Sequence, residues 1–165
     1  MNLWAVLGGL RSKNLIKGAW LGLKNPLYLG PTIRATRNCV LICTEHYGTL
    51  HHGHGPANAF RHALWNYMIA EACARGNSRR EAAIAWAEGI TLWHEDSFPN
   101  REPARSMDLH NNAVGRQLFR EHGHLGQGEI YSLLLGMAEN SVKIDLETDL
   151  GPLKNQLVYI KDHER

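Results

Sequence analysis

Residues 56–74 read PANAFRHALWNYMIAEACA, and the fold turns on this stretch. Phe60, Ala63, Leu64, Trp65, Tyr67, Met68, Ile69, Ala70 and Cys73 leave a helix over 57–74 almost no polar face, so it is buried on most of its sides. Pro56 opens it and Gly76 closes it, the positions where a missing N–H and a missing side chain cost least. Ser78 with Glu81 forms a capping box for the next helix, which runs to about His94 and carries Glu88 as its one strongly polar side chain from Ala82 to Trp93. A third helix over about 106–121 has Met107, Leu109, Val114, Leu118 and Phe119 as its apolar set. Gly123, Gly126 and Gly128 separate it from a fourth over about 129–142.

Upstream, Ile33, Val40, Leu41 and Cys43 give a helical period over 32–47, with Pro31 at a first-turn position, and GTLHHGHGP at 48–56 is a loop. In residues 1–30, Pro26 and Pro31 limit the chain to one or two short amphipathic helices. Trp4, Leu7, Leu10, Leu15, Trp20 and Leu23 beside Arg11, Lys13, Lys17 and Lys24 suit a membrane surface, but the favoured reading is a helix covering the core with a solvated basic face. Near the end, 157–160 is an apolar run for a short strand or a helical turn. The expectation is a mainly α chain: a single compact helical bundle-like domain over 1–165, with an N-terminal amphipathic segment (1–30) and a motif-bearing core (43–121). A polar pocket is expected between the central helices at about 57–75, 78–95 and 105–121.

With 165 residues, the chain can bury about 70% of its unfolded surface without a metal or disulfide staple, so a metal, if bound, serves chemistry. Lys+Arg 18 against Asp+Glu 16 is too balanced to mark a nucleic-acid surface by itself. Cys39, Cys43 and Cys73 form no CxxC pair, which fits a reducing compartment. The first ten residues lack the basic start and small-residue cleavage pattern of a signal peptide, and no apolar run is long enough to span a membrane.

The 10 histidines stand out, and position separates them. Asn58, His62 and Asn66 lie four apart on the most apolar helix, where buried polar groups need partners. Glu88, Thr91 and Glu95 share a stripe with His94 beside it. Glu88 needs a cation, either a metal or Arg61 or Arg116 in a plain salt bridge. His94 with Glu95, just before a loop, offers a ligand and a proton acceptor to one cavity. Asp108, Asn111, Asn112 and Gly115 share a face with Arg116 a turn beyond. Two consecutive asparagines inside a helix have poor propensity there, which points to hydrogen bonding with a ligand or its neighbours. His51, His52 and His54 fit a solvated or substrate-touching loop better than a structural metal site, and His46, His122, His124 and His163 fit the surface. No P-loop, dinucleotide fingerprint, nucleophile elbow or HExxH occurs.

NAFRHALWN at 58–66, WHE at 93–95 and MDLHNNAVGR at 107–116 resemble an uncharacterised bacterial domain family, some members of which are terminal modules of secreted, toxin-like proteins. The likeness covers roughly 43–119. It implies a small antibacterial effector, made in the bacterial cytoplasm without a signal peptide, exported by a specialised secretion system and opposed by a cognate immunity protein. The order His62, His94–Glu95, Asp108 is also similar to the ligand order of the all-helical histidine and aspartate metal phosphohydrolases. It departs from that order in having Glu95 where the acid is normally Asp, and in how soon Asp108 follows.

The functional expectation is a metal-assisted hydrolase of a phosphoester or pyrophosphate bond, in a lipid-linked phosphate at a membrane surface or in a nucleic acid. His62, His94, Asp108 and Glu88 would hold one divalent ion (Zn, Mn or Mg), with no organic cofactor. Glu95 would take the proton of the bound water, Arg116 or Arg61 would steady negative charge, and Asn66, Asn111 and Asn112 would contact substrate. A metal-free scheme with His62 or His94 as general base is the variant of this reading. The alternative from another class is a non-enzymatic binding, adaptor or immunity module whose buried polar network is structural. The sequence does not fix the oligomeric state.

Overall fold

A computed structural model describes residues 12–74 and 79–161. Its elements run in the order α1 (Ser12–Lys24), α2 (Pro26–Tyr47), α3 (Pro56–Cys73), α4 (Arg80–Ser97), α5 (Ala104–His122), α6 (Gln127–Glu139), β1 (Val142–Lys143) and β2 (Val158–Tyr159). Single 3-10 turns lie at Leu50–His52 and Gly151–Leu153. The mainly α expectation is met. The helix read as buried on most sides is so: α3 packs against α2, α4, α5 and α6, and Phe60, Leu64, Tyr67 and Ile69 are fully enclosed. Each such side chain contributes about 1.5–3 kcal/mol on burial. Cys39 and Cys43 of α2, Trp86 of α4, Leu118 and Phe119 of α5, and Ile130 and Leu134 of α6 complete the same core. The Ser78 cap, Gly76 and His163 lie outside the described residues.

α2 differs from its expected form, because it begins at Pro26 and runs through Pro31. Pro26 takes the first-turn position that the sequence reading gave to Pro31, and Pro31 removes one intrahelical hydrogen bond. Side-chain bonds from neighbouring helices hold the helix together there. Trp86 Nε1 donates to Thr32 Oγ1 and Trp65 Nε1 to Thr36 Oγ1, each at 2.8 Å. The two threonine hydroxyls donate in turn to the carbonyls of Tyr28 and Thr32.

α1 covers the core less than expected. Leu21 packs inward, while Ile16, Trp20 and Leu23 face solvent. The reason is how α1 is attached: Gly18 lies so close to the Trp93 indole that a Cβ would come within 2.8 Å of it, and Trp93 Nε1 donates to Asn14 O at 2.8 Å. Lys17 Nζ meets Asp96 Oδ2 at 2.8 Å, and Asn14 Nδ2 donates to Asp96 O. Gly18, Leu21 and polar groups of α1 make the joint, and Ile16, Trp20 and Leu23 stay exposed. Trp4, Leu7 and Leu10 lie outside the described residues.

At the other end of the chain, 157–160 resolves as a strand: β2 pairs in parallel with β1, Val158 opposite Val142. Val142, expected at the end of the last helix, therefore belongs to β1, and α6 stops at Glu139. Ile160 N and Lys161 N both donate to His54 O, tying the C-terminal segment to the loop before α3.

The closest helix pair is α3 with α5. A Cβ on Gly115 would overlap the Ala63 carbonyl oxygen and stand 2.7 and 2.8 Å from Ala63 C and Cα. The obstacle is backbone and cannot swing aside. Gly115→Ala is therefore expected to lower unfolding free energy by about 2–3 kcal/mol, the cost of forcing volume into a close-packed interior, as read by urea denaturation. An unchanged midpoint would show that the two helices separate freely.

Candidate functional site

Because α3 and α5 run so close at Gly115 and Ala63, the polar side chains within one turn of the contact on α3 and within two on α5 meet. His62 and Asn66 project from α3, Asp108 and Asn112 from α5, each pair one turn apart on its helix. Glu95 enters from the last turn of α4. His62, Glu95 and Asp108 are 3%, 1% and 2% exposed, and one candidate ligand atom from each lies within 4.8 Å of the others. His62 Nε2 is 3.3 Å from Asp108 Oδ1, and Nδ1 is 4.0 Å from Glu95 Oε1.

The partners of the imidazole settle its tautomer. Arg61 Nη2 donates to Nε2 at 2.9 Å, so Nε2 carries no hydrogen, and Nδ1–H donates to Asn112 Oδ1 at 3.0 Å. Burial, and then the Arg61 charge, hold its pKa well below the ordinary histidine value. His62 is a neutral base fixed at both nitrogens.

The carboxylates are in the opposite position. Glu95 Oε1 and Asp108 Oδ1 are buried and receive no hydrogen bond. Asp108 Oδ2 accepts one from Asn100 Nδ2 at 2.8 Å. Burial, and then the Asp108 charge, push Glu95 up to about 7, and burial pushes Asp108 up to about 6. Two buried carboxylate oxygens without donors are costly unless a proton or a cation joins them. One nitrogen and two carboxylate oxygens converging in this way could hold a metal ion.

The remaining expected site residues are placed as follows. Asn112 Oδ1 also accepts from Asn66 Nδ2 at 2.7 Å, while its own Nδ2 has no partner. Asn66 Oδ1 accepts from Thr91 Oγ1 and from Arg116 Nη1 at 3.0 Å, and Arg116 Nη2 reaches Glu88 Oε1 at 3.1 Å. Glu88 is exposed, so the plain salt bridge with Arg116 describes it and it stands apart from the three candidate ligands. His94 packs its ring against Trp65 and Phe98, centroids 5.1 Å away in each case, and burial lowers its pKa to about 4. Asn111 faces β2: its Nδ2 donates to Val158 O and its Oδ1 accepts from Val158 N, at 2.8 and 2.9 Å.

Of the four residues expected to hold metal, the structure thus brings together His62 and Asp108. Glu95 joins them in place of His94 and Glu88. Helix phase is the reason: His94 is turned about 100° from Glu95, and Glu88 sits about 10 Å further along α4. Asn100, in a loop, gave no periodic signal. His51 is another departure, being buried, with Nε2 3.3 Å from Thr44 Oγ1 and Nδ1 unpartnered; His52 is exposed as expected, and His54 is partly buried.

A family model described as Domain of unknown function (DUF6973) matches residues 19–142, and the chain belongs to that family. No curated protein and no solved structure matches it.

The two kinds of buried group set opposite pH dependences. Glu95 and Asp108, raised above their ordinary values of 4.5 and 3.8, contribute stability that is full below those values and is lost as pH rises through about 6 to 7. His51 and His94, lowered from 6.5 to about 4, contribute stability that is full above 6.5 and is lost as pH falls towards 4. Between pH 7 and 5 the two trends oppose each other. In metal-free protein, Glu95→Gln removes the larger acid-side gain, so its melting temperature is expected to fall more steeply from pH 7 to 5 than that of the wild type. Parallel profiles would show that Glu95 carries no raised pKa.

Proposed function

We propose that this DUF6973 domain is a metal-assisted hydrolase of phosphoester or pyrophosphate bonds, with His62, Glu95 and Asp108 as ligands of one divalent ion. One observation carries the reading: Glu95 Oε1 and Asp108 Oδ1, two buried carboxylate oxygens without a hydrogen-bond donor, converge with an imidazole nitrogen. The mixed nitrogen and oxygen set suits Mn or Zn better than Mg, which prefers oxygen and keeps its waters. The ion would supply a water acidic enough to attack at neutral pH.

The chain's own residues do the rest. His62 is oriented by Asn112, which Asn66 orients in turn. Arg61 Nη2 lies 2.9 Å from His62 Nε2, and with a metal on that nitrogen its guanidinium would be free to face a phosphoryl oxygen. Glu95 keeps a second carboxylate oxygen to accept the proton of the water. Lipid-linked phosphates and nucleic acids both offer such bonds.

A second reading, a non-enzymatic binding module with a structural polar network, is favoured by the near-complete burial of the three side chains and by the existing partners on both nitrogens of His62. The experiment separates the two. Elemental analysis of purified full-length protein is expected to find about one Mn or Zn per chain. A chelator should abolish hydrolysis of a phosphodiester or pyrophosphate substrate. His62→Ala and Asp108→Asn should lose the ion and at least roughly 100-fold of the rate while keeping their helical circular dichroism. No stoichiometric ion and a rate indifferent to chelator would overturn the metal. An effector role predicts growth arrest on expression in bacteria, relieved by His62→Ala.

A further inference from the structure

We propose that α1 and the first turns of α2 form a docking surface for a lipid bilayer rich in anionic headgroups. The surface stands independently of the hydrolase reading. On α1, Ile16, Trp20 and Leu23 follow at spacings of four and three, so they lie along one face, and they are 70%, 54% and 80% exposed. Leu27 and Ile33, early in α2, are exposed as well, at 65% and 68%. Apolar side chains scattered singly over a surface need no explanation, but a helical stripe of them does.

Charge identifies the occupant. Residues 1–44 contain six Lys and Arg and no Asp or Glu, in a chain whose acids number 16. Lys24 Nζ stands 3.6 Å from the centroid of the Trp20 ring, at the edge of the stripe, and Arg34 and Arg37 are exposed on α2. Lys17 is taken up by Asp96. A second copy pairing through this face would set these cations against one another with no acid to match them. A bilayer accepts both features: Ile16, Leu23 and Leu27 enter the acyl boundary, Trp20 sits at the interface, and Lys24, Arg34 and Arg37 meet anionic headgroups. No helix among the described residues is long and apolar enough to cross a membrane, so the contact is with its surface. The stripe belongs to the helix joined at Asp96 to the end of α4, which places the bilayer beside the element that carries Glu95.

Flotation of the full chain with vesicles of phosphatidylcholine, with and without phosphatidylglycerol, at low and high salt, tests this. The expected result is at least roughly tenfold stronger binding to the anionic vesicles, weakened by salt. Trp20→Glu with Leu23→Glu should abolish binding, and Lys24→Gln with Arg37→Gln should remove its salt dependence. The substituted side chains are exposed, so circular dichroism should match the wild type. The proposal is overturned if the wild type floats with neither vesicle or if the Trp20→Glu, Leu23→Glu variant floats equally well. It is also overturned if sedimentation shows a wild-type dimer that these substitutions dissociate, since the stripe then covers a second copy.

Discussion

The backbone contact between Gly115 and Ala63 is the constraint from which the interior follows. With no side chain on Gly115, α5 lies directly against the carbonyl of Ala63. At that separation Asn112 Oδ1 can accept from His62 Nδ1 and Asn66 Nδ2 together, two donors from successive turns of one helix. A wider spacing would break both bonds and leave His62 Nδ1 and Asn112 Oδ1 buried without partners, each costing about 1–3 kcal/mol. The same approach carries Asp108 to His62, one turn back along α5. Packing and polar chemistry here have a single cause, a missing methyl group.

From this contact a line of polar groups runs through the bundle: Arg61, His62, Asn112, Asn66, Arg116 and Glu88. At its outer end a guanidinium and a carboxylate neutralise each other near water. At its inner end the balance is different, since two carboxylates face a neutral imidazole and the one guanidinium on it. Burial raises both acids there, and the Asp108 charge adds to the shift of Glu95.

Much of this could be read from the residues in order. The all-round apolar character of 57–74 identified the central helix, and the spacing of four between His62 and Asn66 showed that they act together. Asp108 and Asn112 were legible in the same way. What escaped reading depended on contacts distant in sequence. Pro31 looked like a helix start because nothing local shows that Trp65 and Trp86 will donate to threonines around it. His94 looked like a ligand because adjacent residues share a sequence neighbourhood but not a helix face; Trp65 takes one and the polar centre takes the other. Asn111 has the side chain of a substrate contact, and only the position of β2 reveals that its amide mimics a neighbouring strand. The outward apolar face of α1 was hidden for a similar reason, since Gly18, Leu21 and polar groups make its joint with α4.

The clamp of Asn111 on Val158, with His54 O accepting from Ile160 and Lys161, has a consequence for the order in which the protein is completed. A chain leaving the ribosome presents α3, α4 and α5 long before residue 158 emerges, and domains begin to organise from their N-terminal side. Until the strand arrives, Asn111 would be an interior amide with neither of its backbone partners, and the loop ahead of α3 would lack its tether. The interior of α5 at Asn111 is therefore completed by a strand made after all three of these helices. None of the candidate ligands belongs to that strand, yet the helix that carries Asp108 is pinned by it.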